Sequence, residues 1–244
     1  MTKPIETLLF DFGGTLDADG VAWKERFYTL YRAEGLDMTA DAFAPAFFAA
    51  DDALVGGLPP ATDLSGTVHA LAANLEAELT RRSAGPDEAT TVNERTNGDR
   101  GRRVASRFLS EASAAFARNR PVLEALRERY RLGIVSNFYG NLEAVCHSAG
   151  LAPLFAVMVD SHCAGAEKPN PAIFRAALET LRAMPETTVF VGDSLRRDRE
   201  GARSMGMGFI WIAPQDVQAE AQASAEPPGH ATVTELRDLV KIFT

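Results

Sequence analysis

The chain has 244 residues, long enough for one large domain or for a domain carrying an insertion. Hydrophobic residues make up 46%, which excludes a globally disordered chain. A formal net charge of −8 argues against a general nucleic-acid binder, which needs a basic field to displace counterions, while leaving a local phosphate site open.

Taken in chain order, the first element is a buried strand over Thr7–Phe10, an apolar run that stops at Asp11 and turns through Gly13 and Gly14. More than a hundred residues separate it from the next strand, too many for one crossover helix. That stretch reads as helix over residues 21–34, 40–54, 64–82 and 101–118, which predicts an inserted helical cap. In the first of these helices the charged Lys24 and Arg26 are read as an outer face. Residues 83–100 are polar without apolar period, predicting a mobile loop. Residues 51–64, with Gly56-Gly57 and Pro59-Pro60, predict a cap loop facing the site.

Buried strands follow over 132–136, 155–159, 188–191 and Gly208–Ile212. Helices alternate with them over 121–130, 141–149, Pro171–Leu181 and 197–205, the third opening on a proline suited to a first turn. Residues 215–230 read as a surface excursion before a last helix. The alternation predicts an α/β fold, a doubly wound parallel sheet. Its core comprises residues 1–18 and 116–244, the cap residues 19–115, with hinges near 18–20 and 116–120.

Cys146 and Cys163 have no disulfide or metal-ligand spacing and are expected to be buried free thiols. The four histidines are scattered. The N-terminal residues carry no long apolar segment, so neither a signal peptide nor a membrane span is expected, and the chain is expected to be cytoplasmic.

The chemistry lies at the strand ends. Asp11 closes the first strand, Ser136-Asn137 the second, and Gly192-Asp193 a later one, followed by Asp198; Lys168 precedes Pro169-Asn170-Pro171. In a parallel sheet such ends converge on one edge. Three carboxylates in one pocket repel unless something compensates them, and a hard divalent cation, Mg²⁺, does so with a few carboxylates and substrate oxygens. Lys168 would offset the remaining charge and hold a substrate anion. Ser136 would donate to a phosphate oxygen. Asp11 is then free to act as a nucleophile through an aspartyl-phosphate.

These segments resemble, in order, the motifs of the haloacid dehalogenase-like hydrolase superfamily: Asp11-Phe12-Gly13-Gly14-Thr15 the first, Ser136 the second, Lys168 the third, and Asp193 with Asp198 the fourth. The run from Asp193 to Ala202 is the most specific, and an insertion between the first and second motifs is similar to the helical-cap subclass. The resemblance implies a Rossmann-like core and Asp11 as nucleophile. It implies Mg²⁺ held by Asp11, Asp193, Asp198 and the backbone carbonyl of Gly13, and a substrate phosphate held by Thr15, Ser136, Asn137 and Lys168. The expected partner is a small phosphorylated or other anionic metabolite, bound by a monomer or homodimer with no nucleic acid and no membrane.

One position departs from the pattern. The family carries a second Asp two residues after the nucleophile, as general acid and base; here that residue is Gly13. General acid–base catalysis contributes about 10²–10⁴-fold, so a slow phosphatase is expected unless another group, such as Asp17 or Asp19, takes over. Two further readings stay open. One is dehalogenation of a 2-haloacid, where the leaving halide needs no proton; the other is a binding protein without turnover.

Overall fold

The computed structural model describes residues 3–83, 94–223 and 231–243. Strand β1 (Thr7–Phe10) is buried at all four positions, as a strand covered on both faces must be. It pairs in parallel with β2 (Arg131–Ser136) on one side and β4 (Thr188–Gly192) on the other. β3 (Val157–Asp160) extends the sheet beyond β2, and β5 (Gly208–Ile212) and β6 (Ala231–Val233) beyond β4. The order β3-β2-β1-β4-β5-β6, all parallel, is a doubly wound sheet that reverses between β1 and β4. β6 lies beyond the excursion read from sequence. With three residues it is too short to show a period.

Between β1 and β2 stand α1 (Trp23–Ala33), α2 (Ala40–Asp52), α3 (Leu64–Ser83) and α4 (Glu94–Arg127). α5 (Leu142–Ser148), α6 (Ser161–Ala164), α7 (Pro171–Leu181), α8 (Glu200–Ser204), α9 (Gln215–Ala223) and α10 (Asp238–Phe243) follow. Residues 84–93 of the expected loop lie outside the described residues, while its last residues, from Glu94, belong to α4.

α4 joins two helices that the sequence separated at Pro121 and runs through the expected boundary at residues 115 and 116. A proline inside a helix costs about 3 kcal/mol. The buried face outweighs it, because Val104, Phe108, Ala112 and Phe116 before the proline continue into Val122, Leu123 and Leu126 after it. The expected hinge at 116–120 is clamped: Asn119 Nδ2 donates to Leu16 O at 3.1 Å, Arg118 pairs with Asp19, and Arg120 donates to Gly150 O.

Alternate residues of β1 point into two cores. Leu8 and Phe10 join a cluster shared with Phe27, Phe43, Val68 and Phe108 of the inserted helices. Leu9 faces Ile173, Phe174 and Phe190 on the other side. No helix among the described residues is long and apolar enough to cross a membrane.

Candidate active site

The register places the chemistry at the switch point. Phe10 stands opposite Ile134 of β2 and Val191 of β4, so the next residues on three adjacent strands reach one edge. Asp11 is fixed there by its backbone N–H, which donates to Val191 O at 2.9 Å. Its Oδ1 accepts from Phe12 N at 2.7 Å and Ser136 Oγ at 2.8 Å, and lies 2.7 Å from Lys168 Nζ. Lys168 Nζ also lies 2.8 Å from Asp198 Oδ1. Asp11, Asp193 and Asp198 each offer a carboxylate oxygen within 4.8 Å of the others, an arrangement that fits a divalent cation.

Backbone detail makes this crowding feasible. Gly14 sits at φ +89, and a Cβ there would meet Asp193 Oδ2 at 2.7 Å. A Cβ on Gly192 would meet Asp198 Oδ2 at 2.3 Å, so only glycine admits Asp198 against the end of β4. The segment after Asp193 is a wide turn, Leu195–Arg199, in which Arg199 N donates to Ser194 O at 3.2 Å. Ser194 N in turn donates to Asp198 Oδ2 at 3.0 Å. Trp211 Nε1 donates to Asp193 O at 2.8 Å and steadies the start of that turn.

Electrostatics follow from burial. The Asp193 carboxyl is held well above its ordinary value by loss of hydration and then by the Asp11 and Asp198 charges. Asp198 is raised chiefly by burial, against the pull of Lys168. Burial opposes the charge of Lys168, but Asp11 and Asp198 outweigh it and hold the ammonium above its usual range. The carboxylates outnumber the one ammonium between them, and a bound cation would relieve the excess.

Two expected phosphate contacts have other occupations. Asn137 Nδ2 donates to Lys168 O at 3.3 Å and its Oδ1 accepts from Lys168 N at 2.7 Å, so Asn137 positions the lysine through its backbone. Thr15 is fully buried and its hydroxyl donates to Asp193 Oδ1 at 3.4 Å. Neither Asp17 nor Asp19 reaches the place beside Gly13. Asp17 accepts from Gly14 N at 2.7 Å, Trp23 Nε1 at 2.8 Å and Arg26 Nη1 at 2.7 Å. Asp19 accepts from Leu236 N at 3.0 Å and pairs with Arg118. Arg26, read as part of an outer face, is buried against Asp17, with its guanidinium 3.6 Å from the centre of the Phe108 ring. Cys146 is buried, but Cys163 is exposed, because α6 is a single turn after β3 that buries Ser161 and leaves the residues after it in solvent.

The cavity over Asp11 also exposes residues for which sequence reasoning named no chemical role, among them the first residue of the segment 51–64 that was expected to face the site. Asp51 on the last turn of α2, Tyr139 after β2 and Arg197 in the wide turn all line it. The residues that follow Asp51 turn toward the loop after β2, where Gly56 N donates to Tyr139 O at 3.3 Å. Arg197 carried a signal, since it lies between the two acidic residues of one motif. Asp51 carried only a positional signal, as the start of the segment 51–64, and it lies on the last turn of α2 and not in a loop; its carboxyl drew no role, because a carboxylate at a helix end reads as solvated.

The family of sequences matching residues 5–206 is described as haloacid dehalogenase-like hydrolase. The chain belongs to the haloacid dehalogenase-like hydrolases. It is 35% identical over 109 residues to haloacid dehalogenase-like hydrolase domain-containing protein 3 of Bos taurus, covering 44% of this chain and 43% of that protein. It is 34% identical over 101 residues to a phosphoserine phosphatase of Thermus thermophilus, covering 39% and 41%. Each match spans less than half the length of the relative. Among solved structures, a 2-haloacid dehalogenase of Pseudomonas syringae shares the fold at a TM-score of 0.52 and 22% identity, covering 98% of this chain and 97% of that one.

Proposed function

We propose that this hydrolase cleaves a small phosphorylated metabolite through an aspartyl-phosphate at Asp11, with Mg²⁺ as cofactor. The observation that carries the reading is the meeting of the Asp11, Asp193 and Asp198 carboxylates within 4.8 Å. Similarity to a phosphoserine phosphatase supports phosphorus as the centre attacked.

In this reading Asp11, Asp193, Asp198 and the Gly13 carbonyl hold the metal, which supplies charge neutralisation at the phosphoryl oxygens. Asp11 attacks phosphorus with Oδ2, because Oδ1 is held in place by Phe12 N and Lys168 Nζ. Lys168 lines the same cavity and donates to the equatorial oxygens as negative charge builds, and Ser136 joins it by turning its single O–H from Asp11 Oδ1 to the phosphoryl group. Asn137 keeps Lys168 in place, and Thr15 does the same for Asp193. Residues 1–18 and 116–244 act as the core, and residues 19–115 as a cap that chooses the substrate and sheds water.

The test is phosphate release from a panel of sugar and nucleotide phosphates, with and without Mg²⁺, beside an Asp11→Asn control. Turnover of at least one ester, dependent on both metal and Asp11, is expected. Rates equal to the control across the panel would end the reading.

A second reading is attack on carbon in a 2-haloacid. Gly13 favours it, since halide departs without a proton. Retention of Asp193 and Asp198 as a carboxylate pair favours phosphate. Halide release undiminished by EDTA would decide for the second.

A further inference from the structure

We propose that Asp51, delivered by the inserted helix α2, carries the proton for the reaction at Asp11, in place of the carboxyl that position 13 lacks. The proposal rests on the phosphohydrolase reading above. Its first ground is shared space: Asp11, Gly13, Ser136 and Lys168 line one cavity together with Trp23 and Asp51 of the inserted helices. Among the residues lining it, Asp11 and Asp51 carry the carboxyl groups. The second ground is elimination. Trp23 occupies the space beside Gly13, and the carboxyls of Asp17 and Asp19 are committed to Arg26 and Arg118.

The third ground is how Asp51 is held. Tyr139 Oη donates to Asp51 Oδ1 at 2.5 Å, and Tyr139 lies in the loop that leaves β2 after Ser136 and carries Asn137. The carboxyl is therefore fixed from the sheet side although it arrives on an inserted helix. Loss of hydration pushes it up to about 6. The Tyr139 hydrogen bond and Arg197 oppose that rise, while Asp52 and Glu167 add to it. Lys24 of α1 lines the same cavity. A carboxyl of this strength near neutral pH exchanges a proton in both directions.

The balance is as follows. Asp11 Oδ bonds to phosphorus as the ester P–O bond breaks, and the departing alkoxide takes the proton of the Asp51 carboxyl. Water then attacks the aspartyl-phosphate, its proton passes to the Asp51 carboxylate, and the Asp11–phosphorus bond breaks. Inorganic phosphate leaves with Asp11 ionised and Asp51 protonated, as at the start.

Leaving-group strength separates this role from a structural one. With the full-length chain and Mg²⁺, Asp51→Asn is expected to lower kcat on glycerol phosphate about 10²–10⁴-fold. With p-nitrophenyl phosphate, whose leaving group departs unprotonated, it should retain a burst of one equivalent of nitrophenol and hold phosphate on the protein. The fall in kcat/KM as pH rises through about 6, expected for the native chain on glycerol phosphate, should be absent. Tyr139→Phe, which keeps the carboxyl, should move that limb to higher pH. Native turnover of glycerol phosphate by Asp51→Asn overturns the proposal, as does equal loss of burst and turnover, or an unmoved limb in Tyr139→Phe. No turnover by the native chain above Asp11→Asn overturns the phosphohydrolase reading and this proposal together. Loss in Asp11→Asn with none in Asp51→Asn overturns this proposal alone.

Discussion

Trp23 stands where a side chain at position 13 would project. A Cβ built on Gly13 lies 3.2 Å from Trp23 Nε1 and 3.4 Å from its Cδ1. The indole is held in that place by its bond to Asp17 and by Phe108 and Phe138, at ring distances of 5.1 and 6.0 Å. Glycine at 13 and tryptophan at 23 are thus one feature, an aromatic wall in the space a carboxyl would need.

Restoring an acidic residue by Gly13→Asp therefore should not restore activity by itself. The Asp side chain must displace a packed indole, and overpacking of this kind costs about 1–3 kcal/mol. The variant is expected to melt earlier than the native chain without faster phosphate release. Pairing it with Trp23→Ala should recover part of the stability loss beyond additivity. A double-mutant cycle in urea reads the coupling, and additive effects would show that the two positions do not compete.

The ion pair behind that wall should be costly to break. Arg26 and Asp17 are buried at 6% and 0% side-chain exposure with 2.7 Å between them. Asp17 is already raised by burial, with Arg26 the largest opposing influence. Arg26→Met leaves the carboxyl without its partner and is expected to cost about 3–5 kcal/mol. Chemical denaturation checks it, and a loss under about 1 kcal/mol would mean that Asp17 accommodates the change by taking up a proton at little cost.

Metal should stabilise the fold through the same carboxylates. Binding to the folded state alone adds about 2.7 kcal/mol at a hundredfold excess over Kd, so Mg²⁺ is expected to raise Tm measurably. Asp193→Asn should reduce that rise. Lys168→Met, which strips the ammonium lying 2.7 and 2.8 Å from Asp11 and Asp198, should start from a lower Tm and gain more from Mg²⁺. Thermal melts of the three proteins with EDTA or Mg²⁺ test this. A native Tm indifferent to Mg²⁺ would remove the metal from the site.

Asp51 carries a stability cost that depends on pH. Its carboxyl is raised from an ordinary 3.8 to about 6 in the folded state. Its stabilising contribution is then complete below about pH 4 and is lost as pH rises through about 6. Asp51→Asn escapes that loss, so its stability relative to the native chain should grow by about 1–3 kcal/mol between pH 4 and pH 8. Urea midpoints at the two pH values measure it. An unchanged difference would place Asp51 in water-like surroundings.

Much of the fold and part of the site were legible in the chain. β1 was readable because an apolar run ends abruptly at Asp11, and α7 because Pro171 opens an amphipathic helix. α4 was not, since Pro121 is a local signal for a break and the buried face that overrides it is tertiary. Arg26 read as solvated because its partner, Asp17, lies in the loop before the helix and not one helical turn away. Asp51 and Tyr139 are 88 residues apart, and no local pattern links them.

The sequence by itself determined the strand ends and what they carry, because a carboxylate after a buried parallel strand can only emerge at the sheet edge. Thus the chain alone places Asp11, Ser136 and Asp193 at the ends of β1, β2 and β4. Only the tertiary structure decided what fills the space beside Gly13 and which carboxyl the inserted helices bring to Asp11. Those answers depend on how α1 and α2 pack over the sheet, and packing joins residues whose separation along the chain carries no period to read.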